Sequence, residues 1–326
     1  MRILVFSVAA AVGLTCLNVP TPAYSDSKQY TLAIGSRSGT MGRLGAALQG
    51  VINKHQNEFK VSIVPGGGRA NPARVGGGGA DFGFSFSNMF KAARKGGFPY
   101  KKDYKNLRHI AMFWQSCYHQ YISKDLYDSG IKTWDDIVAS KKPLKLGPNK
   151  KGTSSEFISA LIVKHLAGGY KTLENRGFKL LFSGAGASSR AISSRQIDMY
   201  AHNSGIPNGA GIKAHLSRDL TFMDMSPKVK KMLAKHQFTP CTIPGGTYKG
   251  AKTDKHSMGA SGVLMTTDKM PAKTVYNFLK AAFANKKTLN NAHKIFKKWT
   301  PKRASTDLGL PMHPGAKKFY KEAGAM

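Results

Sequence analysis

Residues 30–48 follow one order, an alternating apolar strand, a loop of glycines and hydroxyls, then an amphipathic helix, and residues 144–166 repeat it. A chain that runs twice through this order is constrained to open α/β sheets with their loops on a common side. In the first copy Tyr30, Leu32 and Ile34 alternate with Thr31 and Ala33, the two-residue period of a strand. Leu44, Leu48, Val51 and Ile52 then fall on one helical face. Between them lies "GSRSGT", where Ser38 or Thr40 is placed to cap the helix. Free first-turn N–H groups and the helix dipole make such a loop receptive to an anion.

This is not a nucleotide loop. A phosphate-binding P-loop needs Lys and then Ser or Thr after its last glycine, and Arg43 and Leu44 stand there instead. Gly35, Gly39 and Gly42 miss the dinucleotide spacing, and no acidic residue follows at the ribose-binding distance. No cofactor is expected, and the loop suits a group the size of a carboxylate.

A second strand at 60–64 ends in Pro65 and Gly66-Gly67-Gly68, with a short helix near 71–75. In "ADFGFSFSN", residues 80–88, Phe82, Phe84 and Phe86 alternate with small residues as in a buried strand. Open α/β sheets bind ligands at the carboxyl ends of their strands. Arg37, Ser38, Gly39, Thr40, Ser85, Ser87 and Asn88 stand at such ends and are candidate ligand-binding residues. In the second copy Thr153, Ser154 and Ser155 follow a strand at 144–147 and can cap the next helix. A strand at 178–182, a helix at about 188–194 and "QIDMYAHNSGIPNGAGI" then bring Asn203 and Ser204 to another strand end.

Two lobes with like-facing loops enclose a cleft. The apolar run 107–123 leads into the second copy, and a strand from 257 with helices at 271–283 and 316–322 follows it. That order returns the chain to its first lobe. It predicts two crossings, with 26–121 and 258–326 forming one lobe and 122–257 the other. Trp114, Tyr118 and Tyr248 read as core or hinge packing, and His313 before Pro314-Gly315 as a turn opening a helix.

The first 25 residues read as a cleaved export signal. Arg2 supplies a charge, residues 3–17 are apolar, Pro20 and Pro22 break the run, and small Ala23 and Ser25 suit cleavage before Asp26. A periplasmic, monomeric protein of about 300 residues remains, large enough for two domains. Cys117 and Cys241 are then the remaining cysteines, and they either pair or stand as separate buried thiols.

Charge leaves two other readings to weigh. The chain carries 50 Lys and Arg against 17 Asp and Glu, a net +33. Such a field attracts anions and acidic surfaces. The lysine pairs, among them Lys101-Lys102, Lys150-Lys151 and Lys297-Lys298, are spread along the chain rather than gathered into one arm. They do not make a nucleic-acid footprint, so no specific nucleic acid is expected, and a polyanion-binding surface protein is the alternative. An α/β enzyme of small metabolites is the other. Against it, no two histidines lie closer than 10 residues, so no local metal pair exists, and Asn203 replaces the glycine of a hydrolase elbow before Ser204.

Taken together, the segments resemble the TAXI family, the extracytoplasmic solute receptors of one branch of TRAP transporters. The likeness spans about residues 30–324 and rests on the order of "GSRSGTMGRLGAALQGVINKH", "GGADFGFSFSN", "IKTWDDIVASKKPLKLGPNKKGTSSEF", "QIDMYAHNSGIPN", "IPGGTYKG" and "GLPMHPGAKKFYKEAG". The resemblance implies a two-lobe periplasmic-binding-protein fold of type II-like topology. It implies capture of a small acidic solute such as glutamate or a 2-oxoacid, delivered to a membrane-embedded TRAP permease. Members commonly carry Gly-Thr-Gly-Gly-Thr and then aromatics at the first loop, where this chain has Ser36 to Thr40 followed by Met41-Gly42. Arg37 is a further departure and is expected to add a cationic contact to the solute.

Overall fold

The structure, a computed structural model, describes residues 27–326. The segment read as an export signal lies outside the described residues.

The chain opens with β1 (Lys28–Ala33), α1 (Thr40–His55), β2 (Phe59–Val64), α2 (Asn71–Gly76), β3 (Phe82–Phe86) and α3 (Ser87–Lys95). Two long strands follow, β4 (Leu107–Gln115) and β5 (Cys117–Ser123). The second half begins with α4 (Lys124–Asp128), α5 (Trp134–Ala139), β6 (Lys145–Gly147), α6 (Ser154–Ala167), α7 (Tyr170–Asn175) and β7 (Lys179–Leu180). It continues through α8 (Ala185–Ser193), β8 (Met199–Ser204), α9 (Gly209–Ser217), β9 (Leu220–Phe222), α10 (Pro227–Lys235), β10 (Thr239–Ile243) and β11 (Lys255–Gly259). The last part is β12 (Ser261–Thr267), α11 (Ala272–Ala284), α12 (Lys286–Ala292), α13 (Lys294–Lys297), α14 (Pro301–Ala304) and α15 (Pro314–Glu322).

Two five-stranded sheets have matching plans, β2-β1-β3-β12-β4 and β7-β6-β8-β5-β9. In each, the first three strands are parallel, and the fourth runs antiparallel to its neighbours. That fourth strand comes each time from beyond a crossing. β4 leads through Ser116 into β5, and β11 leads through Ala260 into β12. The apolar run at 107–123 is therefore two strands in two sheets. Both are buried almost throughout, so no change of pattern marks the join.

The two passages lie side by side. Ser116 N–H donates to the Ala260 carbonyl at 3.0 Å, and Ala260 N–H donates to Ser116 Oγ at 3.0 Å. Ser116 Oγ also donates to that carbonyl at 2.8 Å. A Cβ on Gly259 would stand 1.8 Å from the Ser116 carbonyl oxygen, so glycine is required for this approach.

Each lobe has an aromatic core. Phe82, Phe84 and Phe86 point into the first, where Phe113, Trp299 and Phe283 stack in series at 4.4 and 4.1 Å. In the second, Tyr121, Tyr200, Phe222 and Tyr248 surround buried His119 and His215. A small ribbon of β10 and β11 is joined to β5 by a Cys117–Cys241 disulfide across 124 residues. Local expectations shift at several boundaries. β7 is shorter than the 178–182 run, and α8 begins at Ala185, earlier than expected, with Gly186 inside its first turn.

Candidate functional site: a neutral cavity between two lobes

Asn71 sets the strand ends on the first lobe. Its fully buried amide donates to the carbonyls of Ala33, Ile34 and Phe84 at 3.0, 3.1 and 2.8 Å, and its Oδ1 accepts from Gly67 N–H at 3.0 Å. One side chain thus fixes the ends of β1 and β3 and the glycine loop after β2. On the second lobe Ser155 Oγ accepts from Asn203 N–H at 2.9 Å, and Asn203 Nδ2 donates to Ser154 Oγ at 3.1 Å. The start of α6 and the end of β8 are braced together.

These strand ends face one another across a cavity of about 40 Å³. The first lobe contributes Gly35, Ser36, Gly39, Thr40 and Met41, then Gly67 and Gly68, then Phe86 and Trp114. The second contributes Asn149, Thr153, Ser154 and Ser155, Ala185 at the start of α8, and His202, Asn203 and Ser204 at the end of β8. None of these residues is Asp, Glu, Lys or Arg. A larger open groove of about 1040 Å³ lies outside, along α8 and α9, and its wall carries several serines with the cationic Arg43, Arg190 and Lys213. The strand ends converge on the smaller space.

Of the residues expected at a site, Gly39, Thr40, Thr153, Ser154, Ser155, Asn203 and Ser204 line the cavity. The others stand away from its wall. Arg37 and Ser38 are exposed on the turn before α1. Ser85 is buried and donates to the Gly68 carbonyl at 2.7 Å, which supports the glycine loop from behind. Ser87 opens α3, and Asn88 donates across the lobes to the His236 carbonyl at 3.2 Å.

The capping roles also divide. Thr153 caps α6, its Oγ1 accepting from Glu156 N–H at 3.2 Å. Neither Ser38 nor Thr40 caps α1. Gly39 is the capping residue and no side chain closes that turn, because Thr40 is already helical and Ser38 Oγ lies 3.2 Å from Ser36 Oγ and accepts from Gly186 N–H at 3.0 Å. The first turn of α1 keeps its N–H groups for another partner.

Sequence reasoning missed Trp114, His202 and Asn149. Trp114 was expected only to pack; it does, against Phe84 and Phe86, but it also lines the cavity. Among the described residues, its indole Nε1, His202 Nδ1 and Asn203 Oδ1 find no hydrogen-bond partner, although each residue is buried. Burial, reinforced by repulsion from His119, pushes His202 down to about 3, so its imidazole is neutral near pH 7.

The lobes touch around the cavity. Ala70 N–H donates to the Gly152 carbonyl at 3.2 Å, and Arg69 reaches Glu156 at 3.7 Å. Burial raises the Glu156 carboxyl, and Arg69 works against that rise. Exposed Phe98 packs on Phe157 and His236 of the other lobe. Among the described residues no cluster of His, Cys, Asp and Glu could hold a metal ion.

The family model described as NMT1-like matches residues 32–324, nearly all of the described chain. The chain belongs to the NMT1-like family. Solved structures share its fold at low identity. One is the binding protein component of an ABC phosphonate transporter from Pseudomonas aeruginosa, with a TM-score of 0.52, 11% identity, and 84% of this chain and 80% of that one covered. Another is MatC from Rhodopseudomonas palustris with bound malate, with a TM-score of 0.55, 14% identity, and 83% and 89% covered. The two-sheet architecture of this NMT1-like protein is the periplasmic-binding-protein fold of type II-like topology.

Proposed function

We propose that this protein is an extracytoplasmic solute receptor that shuts on a small carboxylate and hands it to a TRAP-type membrane permease, as in the TAXI branch. The observation that carries the reading is the cavity wall. It is built from both lobes and has no charged side chain, and α1, α6 and α8 all begin at it. Each helix start brings roughly half a positive charge together with free N–H groups. Thr40, Ser36 and Ser154 add hydroxyls. Such a site holds an anion by directed bonds. MatC is solved with malate and the Pseudomonas protein is named for phosphonate, both anions. Thr40, Ser154, Ser155, Asn203 and Ser204 are the residues we assign to the solute, with Ser85, Asn88 and Ser38 holding the lobes and loops around it. Export to the periplasm goes with this reading. No helix among the described residues is long and apolar enough to cross a membrane.

Thermal-shift screening of the chain from Asp26 onward tests it. A ligand that binds only the folded form raises its melting temperature. Small carboxylates should stabilise the protein at concentrations where arginine, sugars and polyanions such as heparin do not. Stabilisation by the polyanion alone, lost with added salt, would replace this reading with that of a basic surface protein.

A further inference from the structure

The open groove along α8 and α9 lies outside the solute cavity and differs from it in composition. Arg43, Arg190 and Lys213 are exposed on its wall, no wall residue is acidic, and none of the three forms an ion pair among the described residues. The acids nearest in sequence are off the wall: Asp219 lies beyond the end of α9, and Asp198 accepts from Lys145 N–H at 2.8 Å. Large apolar side chains gather at the same place. Five are exposed among the described residues, and three of them belong here. Leu181 lines the groove, and Ile212 and Leu216, 41% and 76% exposed, stand one position before Lys213 and Ser217 of its wall. Exposed apolar side chains gathered among polar ones mark an interaction surface.

Both lobes build this groove. Ser38 and Arg43 come from the loop and first turn of α1, and the rest of the wall comes from the second lobe. Ser38 Oγ accepts from Gly186 N–H at 3.0 Å, and the Arg43 guanidinium lies over Gly209, where a Cβ would stand 2.8 Å from it. Parting the lobes separates these pairs and takes the wall apart. A partner seated here therefore reads whether the receptor is shut.

We propose that the membrane permease docks in this groove through an acidic segment carrying apolar side chains, and that it recognises the shut receptor there. This rests on the receptor reading above and adds the surface of contact. A second copy of the chain does not fit the groove. Its one acidic pair in sequence, Asp135-Asp136, is engaged by Lys228 and Thr133, and two chains of net +33 repel.

Uptake of radiolabelled 2-oxoglutarate, glutamate and malate by cells of the source strain tests the proposal. Each variant replaces the parent protein in those cells, at solute concentrations that saturate the purified variant, so that a change in solute affinity does not count. Leu216→Glu, Arg43→Glu and the pair Arg190→Glu with Lys213→Glu alter exposed positions and should melt near the parent. Each should lower uptake at least about tenfold, because a new carboxylate then faces an acidic partner. The pair Lys231→Glu with Lys321→Glu, exposed and off the groove, should transport like the parent. Parent-level uptake in the groove variants would overturn the inference and leave the receptor reading standing. So would an equal loss in the control pair, which would make the effect one of overall charge. Loss with the α8 and α9 changes but not with Arg43→Glu would overturn the recognition of closure. Uptake of all three solutes unaffected by deleting the protein would remove both readings together.

Discussion

At the scale of single residues, the proposed function concentrates binding in a few hydroxyls. Thr40 and Ser154 stand at the first positions of α1 and α6 on opposite walls. A buried hydrogen bond to a charged group contributes about 1.5–3 kcal/mol, so Thr40→Val and Ser154→Ala should each weaken solute binding roughly ten- to a hundredfold. The circular dichroism melt of Thr40→Val should stay near the parent, because its hydroxyl caps no helix, whereas Ser154→Ala also removes the bond from Asn203 Nδ2 and should melt lower. Parent-like affinity in both variants would reduce these loops to turns. Arg37→Ala is expected to change affinity little, since Arg37 is exposed and off the wall. The buried histidines make a second prediction. Burial pushes His109 and His119 down to about 4 and His202 to about 3. Unfolded, each titrates near 6.5. The native form stays neutral while the unfolded chain takes up protons, so their stabilisation is full above about pH 6.5 and is lost as pH falls toward 4. Each withdraws on the order of 3 kcal/mol over that span. The melting temperature should fall between about pH 7 and 4.5, and a flat profile there would contradict neutral buried imidazoles.

Among the elements, the strand and helix periods carried most of the reading. β1, α1 and β3 are legible because one face of each is buried and the other is small or polar. The Gly, Ser and Thr residues after β1 and β6 were legible as site candidates because loops at parallel strand ends have few other reasons to combine those types. Trp114 and His202 were not. Both lie inside strands buried on both faces, where an aromatic or a histidine has the same sequence appearance whether it packs or binds. The break at Ser116 was hidden for the same reason. Its importance is testable, since Ser116→Ala removes both side-chain bonds to Ala260 in a buried place. That should cost about 1–3 kcal/mol in chemical denaturation. The disulfide belongs to this scale too. It ties β5 to β10 across 124 residues, and replacing both Cys117 and Cys241 by Ser should lower stability by about 2–4 kcal/mol. Denaturant midpoints that do not move in the double variant would mean that the ribbon is held by its other contacts, such as Ser257 Oγ donating to the Tyr118 carbonyl at 2.7 Å.

On the proposed function the whole molecule is a clamp, and the contacts between its lobes are a modest latch. The direct polar contacts between lobe faces near the cavity are single hydrogen bonds and one long ion pair with partly exposed Arg69. Each such bond nets about 0.5–1.5 kcal/mol, so the polar part of the latch comes to only a few kcal/mol. The cavity is lined from both lobes, so a solute reaches it by passing between them. Small-angle scattering should show the radius of gyration fall when solute is added. Gly67 supplies a sharper probe. With the lobes shut, a Cβ there would lie 2.5 Å from the Gly152 carbonyl oxygen. Gly67→Ala should fold normally, bind solute at least about tenfold more weakly, and keep the larger radius at solute concentrations that close the parent. Full closure of that variant would mean the glycine loops yield more readily than their bonding suggests.

The pairing of Ser116 with Ala260 has a consequence for how such a chain is assembled. Everything between those residues leaves and re-enters the first lobe at adjacent points, one hydrogen bond of 3.0 Å apart. The second lobe is thus an insertion with neighbouring ends, and its disulfide lies wholly within it. Removing residues 117–259 leaves two ends that a short turn can rejoin, and the excised piece keeps its own sheet, core and crosslink. Each half should therefore fold as an autonomous module when expressed alone, recognisable by a cooperative melt. What neither half should retain is affinity for the solute, since each then presents only one wall of the cavity.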